Sequence, residues 1–117
     1  MPPIPPDQYP LHCEGTLTWL SQEVYEDTCE LTSAIIRSSK EIALEALFDG
    51  YRYTVVLTSL DGFQFSGEFV SEKEGERNDG TMQGALYANG SNFILYGKWF
   101  EWGDEFYLIS RFRVRPT

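Results

Sequence analysis

Apolar and polar residues alternate along most of the chain after residue 13, which is the pattern of strands with one buried face. Short turn pairs interrupt the alternation, and each places glycine next to aspartate or asparagine. Such pairs favour tight hairpins, because primed turns need positive φ angles. The pattern predicts eight strands, at residues 14–20, 28–37, 40–48, 51–59, 63–72, 80–88, 91–102 and 105–115. Consecutive strands are therefore expected to pair as antiparallel hairpins.

Four turn pairs set the expected register: Asp49-Gly50, Asp61-Gly62, Asn89-Gly90 and Gly103-Asp104. As two-residue loops, the first, third and fourth pairs place the residues before and after them on one face of the sheet. The second pair fails this test, because it would put Phe63 on the opposite face from Tyr51. We therefore predict a three-residue loop over 60–62, with Gly62 as the left-handed residue of a bulge.

The segment 40–48 fits two structures. Ser38 and Glu41 have the spacing of a helix capping box, and the composition favours a helix. However, alternate residues from Ile42 to Phe48 are apolar, and the turn pair that follows needs a strand before it. The sequence favours a strand here, with a helix as the alternative. Residues 73–79, in contrast, are expected to form a charged, solvated loop.

Residues 1–12 contain five of the six prolines of the chain. Because proline fixes φ and lacks an N–H donor, we expect a polyproline-like arm rather than a strand or a helix. The arm either stays loosely packed, covers apolar surface, or offers its prolines and Tyr9 to an aromatic groove on a partner. The predicted organisation is a proline-rich arm over 1–12 and a single β-barrel domain over 13–117.

Eight is the number of strands at which a closed barrel just accommodates its own side chains or one small ligand. The all-β meander predicted over residues 14–115 resembles the calycin group, meaning avidin-like and lipocalin-like up-and-down barrels. Lipocalins carry Gly-x-Trp on their first strand. Here the N-terminal stretch has the wider spacing of Gly15 to Trp19, and Gly97-Lys98-Trp99 occurs on the predicted seventh strand. The resemblance therefore implies a small closed barrel and transfers no ligand-binding residue.

Three glycines occupy matched inward positions in a repeated apolar-x-Gly-x-apolar motif: Gly67, Gly84 and Gly97. Glycine weakens a strand, so these residues either permit sharp bending at barrel corners or leave space for a cavity. The predicted inward aromatic residues are Trp19, Phe48, Tyr51, Tyr53, Phe63, Phe65, Phe69, Phe93, Trp99, Phe106 and Phe112. They either fill the barrel or line a pocket for an apolar or planar ligand. The predicted ligand-binding residues are Tyr51, Tyr53 and Trp99.

The outward face of the last strands departs from the polar pattern. Its predicted apolar members are Tyr87, Ile94, Tyr96, Phe100, Trp102, Tyr107 and Ile109. A contiguous apolar patch usually marks an interface, so these are the predicted partner-binding residues. The cover is expected to be the N-terminal arm, a second subunit in a homodimer, or a different protein.

The charge of the chain narrows the possible partners. The 117 residues carry a formal net charge of −9, and aromatic residues make up 15%. This length suits one domain with one core, and the aromatic content argues against disorder. The acidic balance disfavours nucleic acid and anionic membrane surfaces. Residues 1–36 hold six acids and no Lys or Arg, so the basic last strand, with Arg111, Arg113 and Arg115, is expected to pair with the acidic first strand.

Localisation and chemistry follow from a few residue types. No apolar run is long enough for a transmembrane helix and the N terminus lacks signal-peptide features, so we predict a cytoplasmic protein. Cys13 and Cys29 are then expected as free thiols, with a disulfide as the alternative. His12, the only histidine, lies in the predicted arm, where a positioned general base is not expected. No metal site or cofactor is predicted.

These observations predict a non-enzymatic binding module, for a small apolar or aromatic ligand at the barrel mouth or for a protein partner at the outer patch. An interior void above roughly 300 Å³ would favour the small ligand. One alternative is an acidic inhibitor or immunity-type protein that binds a basic partner. Another is a barrel isomerase or cyclase, which has little support from a chain with one histidine.

Overall fold

The computed structural model describes residues 8–21 and 25–116, and in these ranges the chain forms a closed, all-β antiparallel barrel. The strands are β1 (Leu11–Leu20), β2 (Glu26–Ser38), β3 (Glu41–Phe48), β4 (Tyr51–Ser59), β5 (Gln64–Lys73), β6 (Glu76–Asn89), β7 (Asn92–Glu101) and β8 (Asp104–Val114). Each strand pairs with the next, and β1 pairs with β8. The predicted fold class is confirmed, and the architecture is consistent with a calycin-like barrel. Within these ranges, no helix is long and apolar enough to cross a membrane.

Tight turns connect most of the strands, and one lies where the sequence predicts it. Asp49-Gly50 joins β3 to β4, with φ angles of 51° and 82°. The prediction was wrong by one residue at two later hairpins, where the turns are Gly90-Ser91 and Trp102-Gly103. At both hairpins each residue pairs with a residue two positions away from its predicted partner. Because side chains alternate with a period of two, the side chains on the flanking strands keep their predicted faces.

Residues 73–79 form a hairpin, so the prediction of a charged loop was wrong. β5 continues to Lys73, β6 begins at Glu76, and Glu74 and Gly75 form the turn, with φ angles of 49° and 87°. A Glu-Gly pair thus makes the same kind of turn as Asp-Gly. The charged strand ends are tolerated because most of their side chains lie in solvent.

The segment with two possible structures is the strand β3, as favoured by its alternation. It pairs with β4 from Glu41 to Phe48. Ile42, Leu44 and Ala46 are buried, and the residues between them are less so. Burial of one face against the barrel interior therefore outweighs the helix-favouring composition.

The side chain of Asp61 holds the loop between β4 and β5. Its Oδ1 accepts hydrogen bonds from Phe63 N and Gln64 N, each at 2.9 Å, and from Ser59 Oγ at 3.0 Å. These bonds lower the pKa of the Asp61 carboxyl. Gly62 has a positive φ of 79°, as predicted, but the connection spans residues 60–63. Phe63 therefore lies outside the strand and is 40% exposed, so its predicted inward position was wrong.

β1 and β8 close the barrel, and opposite charges meet across this pair as predicted. Arg113 lies directly opposite Glu14, with Nη2 and Oε1 at 3.2 Å. Further along the same pair, the buried Ser110 donates a hydrogen bond from its Oγ to the Thr16 carbonyl at 2.8 Å. The β8–β1 seam is thus joined by side chains as well as by the backbone ladder.

The N-terminal segment joins the barrel before residue 13. β1 begins at Leu11, and His12 lies on this strand opposite Ile35 of β2, so its expected position in an arm was wrong. Tyr9 already packs against the core. The first part of the predicted arm, residues 1–7, lies outside the described residues.

Candidate functional site

Inward side chains fill the barrel. Residues from all eight strands form one apolar core, whose largest fully buried side chains include Ile42, Leu57, Phe65, Phe69, Leu95 and Leu108. Among the described residues, the interior void between Trp19, Tyr53 and Trp99 measures about 20 Å³. This is about the space of one water molecule, whereas small-molecule sites usually measure roughly 300–1,000 Å³. The interior is a packed core.

Of the two roles considered for the inward glycines, the contacts favour bending of the sheet over space for a cavity. A Cβ on Gly97 would meet the β6 backbone, at the Gln83 carbonyl oxygen and at Gly84 Cα, 2.5 Å away. A Cβ on Gly67 would likewise meet the Val56 carbonyl oxygen of β4. Because backbone atoms stand where the side chains would be, these glycines let the sheet curve without opening a pocket.

The structure brings the three predicted ligand-binding residues to one end of the barrel. This mouth end is defined by the turns at 49–50, 74–75 and 102–103. The rings of Tyr51 and Tyr53 lie 6.4 Å apart, and Phe69 links Tyr53 to Trp99 through centroid distances of 6.4 and 6.2 Å. These residues form one connected aromatic cluster.

Trp99 forms the floor of the mouth end and belongs to the core. It is 6% exposed, and its ring lies 5.5 Å from Trp19 and 5.1 Å from Phe106. Its Nε1 is buried and has no hydrogen-bond acceptor among the described residues. Tyr51 lies nearer the rim, where its hydroxyl donates to Glu76 Oε2 at 3.3 Å.

Glu101, the last residue of β7, stands next to the turn at 102–103, and its side chain faces the mouth end. Ser71, itself buried, donates a hydrogen bond to Glu101 Oε2 at 3.3 Å. Partial burial raises the pKa of the Glu101 carboxyl. Burial, and then the Glu101 carboxylate, raise the pKa of Tyr53 to about 12. Strand alternation could have predicted this inward position, because Glu101 shares a face of its strand with the inward Trp99.

We expect Glu101→Gln to remove a pH-dependent loss of stability. Because burial raises the pKa of Glu101, the folded state binds this proton more tightly than the unfolded state. Wild-type stability therefore falls as pH rises from the ordinary glutamate pKa through the raised value. Urea unfolding from about pH 4 to pH 8 should show the variant gaining stability relative to wild type as pH rises. Glu68→Gln, on the exposed outer side of β5, is the control, and a difference that does not vary with pH would contradict the expectation.

The predicted outward apolar residues lie side by side on β6, β7 and β8, except Trp102, which lies in the turn between β7 and β8. This set is called the outer face: Tyr87, Ile94, Tyr96, Phe100, Trp102, Tyr107 and Ile109. Tyr87 is paired with Ile94, and Tyr96 is paired with Ile109 on the next strand. The five aromatic members are between 39% and 74% exposed. The outer face is thus a contiguous aromatic surface on a closed barrel.

Two additional features of the outer face come from the structure. Phe63 packs edge-on against Tyr87, with ring centroids 5.3 Å apart, and so extends the aromatic surface. Lys98 lies within the outer face, where its Nζ is 2.9 Å from Glu105 Oε1 and 5.3 Å from the centroid of Tyr107. The hydrogen bond to Glu105 raises the pKa of Lys98. The central charge of the outer face is therefore locally paired.

A surface groove of about 480 Å³ runs beside the outer face, across β5, β6 and β7. Ser66 and Ala85 contribute short side chains to it, and Gln83, Tyr96 and Lys98 also line it. Ala85 lies directly opposite Tyr96 in the β6–β7 pair. The aromatic ridge of β7 therefore has a groove alongside it.

The arginines of β8 line a second surface groove, of about 650 Å³, which crosses β7, β8, β1 and β2. Arg113 is paired with Glu14, and Glu30 lines the same groove as Arg111 and Arg115. Acids of β1 and β2 thus lie beside the arginines at β8, which fits the predicted role of the arginines in barrel closure better than an anion site.

Comparison with known proteins gives no relative, because no family model, no curated protein and no solved structure matches the chain. Among the described residues, no group of His, Cys, Asp and Glu is placed to hold a metal ion. Cys13 and Cys29 are free, and burial raises the pKa of Cys13 to about 11. The geometry of the barrel and its surface is thus the basis for a functional conclusion.

Proposed function

We propose that the chain is a non-enzymatic binding module that docks a protein partner through the outer face. The observation that carries this proposal is the exposure of five neighbouring aromatic side chains: Tyr87, Tyr96, Phe100, Trp102 and Tyr107. At roughly 200 Å² for a whole aromatic side chain, five rings that are about half exposed present roughly 500 Å². Apolar patches of about this size on monomers often have a binding role.

The packed interior favours the outer face, rather than the barrel mouth, as the binding surface. Trp99 is a core residue, and Tyr53 is half-buried against Phe69. A small ligand at the mouth would have to displace these rings, because the void beneath them measures about 20 Å³. The outer aromatic rings need no such rearrangement.

The charges around the outer face favour an apolar interface rather than recognition of a basic partner. Lys98 and Arg111 lie on the outer sides of β7 and β8, where Glu105 is the neighbouring acid. A partner that bound only through the net charge of −9 would contact acids elsewhere and would dissociate as salt screens them. Binding at the outer face is expected to persist in salt, because burial of apolar surface drives it.

The dye anilinonaphthalene sulfonate, which fluoresces on exposed apolar surface, tests the proposal in dilute protein. We expect the wild type to bind the dye, and a variant that combines Tyr96→Ser with Tyr107→Ser to lose most of the signal. Tyr25→Ser removes an exposed tyrosine outside the outer face and is the matched control. A dye signal that the double variant retains in full would overturn the proposal.

A further inference from the structure

The outer face and the groove beside it lie on the same side of the barrel, and we propose that this side binds the same side of a second copy of the chain. The inference rests on the proposed docking function and names the partner. A dimer with two-fold symmetry uses one patch on both subunits, so that patch must carry both a projecting part and a receiving part. The structure supplies both.

The projecting part is the aromatic ridge, and the receiving part is the groove of about 480 Å³. Tyr96 stands on the ridge and is 55% exposed, while Ala85, its direct neighbour on β6, lies in the groove. Ser66 continues the groove onto β5. A two-fold axis near the boundary between them places Tyr96 of each copy over Ser66 and Ala85 of the other.

Charge favours this side of the barrel as the contact between two acidic chains. Copies with a net charge of −9 repel each other, so they meet most easily where acids are fewest. Among the described residues, two acids face outward beside the proposed contact: Glu105 of β8, with which Lys98 pairs at 2.9 Å, and Glu68 of β5, two residues from Ser66. Arg111 adds a positive charge on the same side. The remaining repulsion comes from Glu68 and from more distant acids, and salt screens it.

The aromatic area is close to what a specific interface needs. Two copies of the outer face bring together roughly 1,000 Å² of aromatic surface, which is about where specific interfaces begin. Tyrosine, tryptophan and phenylalanine are also the side chains that interfaces favour. The size predicts a dimer whose population depends on protein concentration.

Light scattering or sedimentation over a range of concentrations tests the inference on the full chain. We expect the mass to rise from 13.4 kDa towards that of two chains, and added salt to strengthen association. Tyr96→Ser, which removes the ridge, and Ser66→Gln, which fills the groove, should each weaken the dimer by about tenfold or more. Tyr25→Ser and Thr54→Gln, at exposed positions elsewhere, are the matched controls. An unchanged thermal midpoint in dilute protein, where each chain is a monomer, shows that each variant is folded.

The outcomes separate the second-copy inference from the docking function. A single-chain mass at every concentration, with dye still bound to the outer face, would overturn the second copy and leave the docking function standing. A single-chain mass without dye binding would overturn both. A dimer that survives Tyr96→Ser and Ser66→Gln undiminished would show that the copies meet elsewhere.

Discussion

Gly97→Ala is expected to lower the free energy of unfolding by about 3 kcal/mol or more. The added Cβ would overlap the Gln83 carbonyl oxygen and lie 2.5 Å from Gly84 Cα. Both atoms belong to the backbone of β6, so the strain is relieved only if β6 and β7 move apart. That movement would weaken neighbouring hydrogen bonds of the barrel ladder. Urea unfolding followed by tryptophan fluorescence measures the loss.

Gly84→Ala, on the partner strand, is the control, because its added Cβ would meet less severe overlap. The nearest atoms to its added Cβ are the Tyr96 carbonyl oxygen at 2.9 Å and Leu95 Cδ1 at 3.3 Å, so a smaller loss is expected. If the glycines instead left free space, Gly97→Ala would be neutral or would stabilise by up to about 1 kcal/mol, because alanine restricts the unfolded chain. That result would contradict the role of Gly97 in strand approach.

The second large effect is expected at Phe69, in the centre of the packed interior. Phe69→Ala should lower the free energy of unfolding by about 3–5 kcal/mol. Phe69 is fully buried, and its ring connects Tyr53 with Trp99 at centroid distances of 6.4 and 6.2 Å. A closed barrel relaxes little around a deleted ring, so the lost contacts and the new cavity both add to the cost.

Urea unfolding measures this effect against a matched aromatic deletion. Phe100→Ala removes a phenylalanine from the outer face and should cost less than about 1 kcal/mol in dilute protein. If Phe69→Ala does not fold, Phe69→Leu keeps most of the volume and still reports the packing. A loss for the Phe69 variants no larger than for Phe100→Ala would mean that the interior has room, contrary to a packed core.

The fold could be predicted because alternation and turn pairs act over short distances. In β3, alternation from Ile42 to Phe48 marks one buried face despite a helix-favouring composition. The turns at Gly90-Ser91 and Trp102-Gly103 differ from the predicted pairs by one residue. Pairing then shifts by two residues, which preserves the inward and outward faces. The positions of the outer-face residues were predictable for the same reason.

Other features depend on distances and angles that residue types do not encode. Phe63 belongs to a loop whose shape is set by hydrogen bonds to Asp61, so alternation does not decide its direction. Glu101 stands next to a turn, where charged side chains are usually exposed, but its carboxylate accepts a hydrogen bond from Ser71 at the mouth end. For Gly97, the choice between bending and space depends on how near the β6 backbone lies.

A dilution series of proton–nitrogen correlation NMR spectra tests most directly the proposal that two copies of a packed barrel meet through the outer face. We predict that the amide shifts of Tyr87, Tyr96 and Tyr107, on three neighbouring strands, change together with protein concentration. Those of Tyr51 and Tyr53 should stay constant. Shifts that change only at the mouth end, or at no residue over the whole range, would contradict the account.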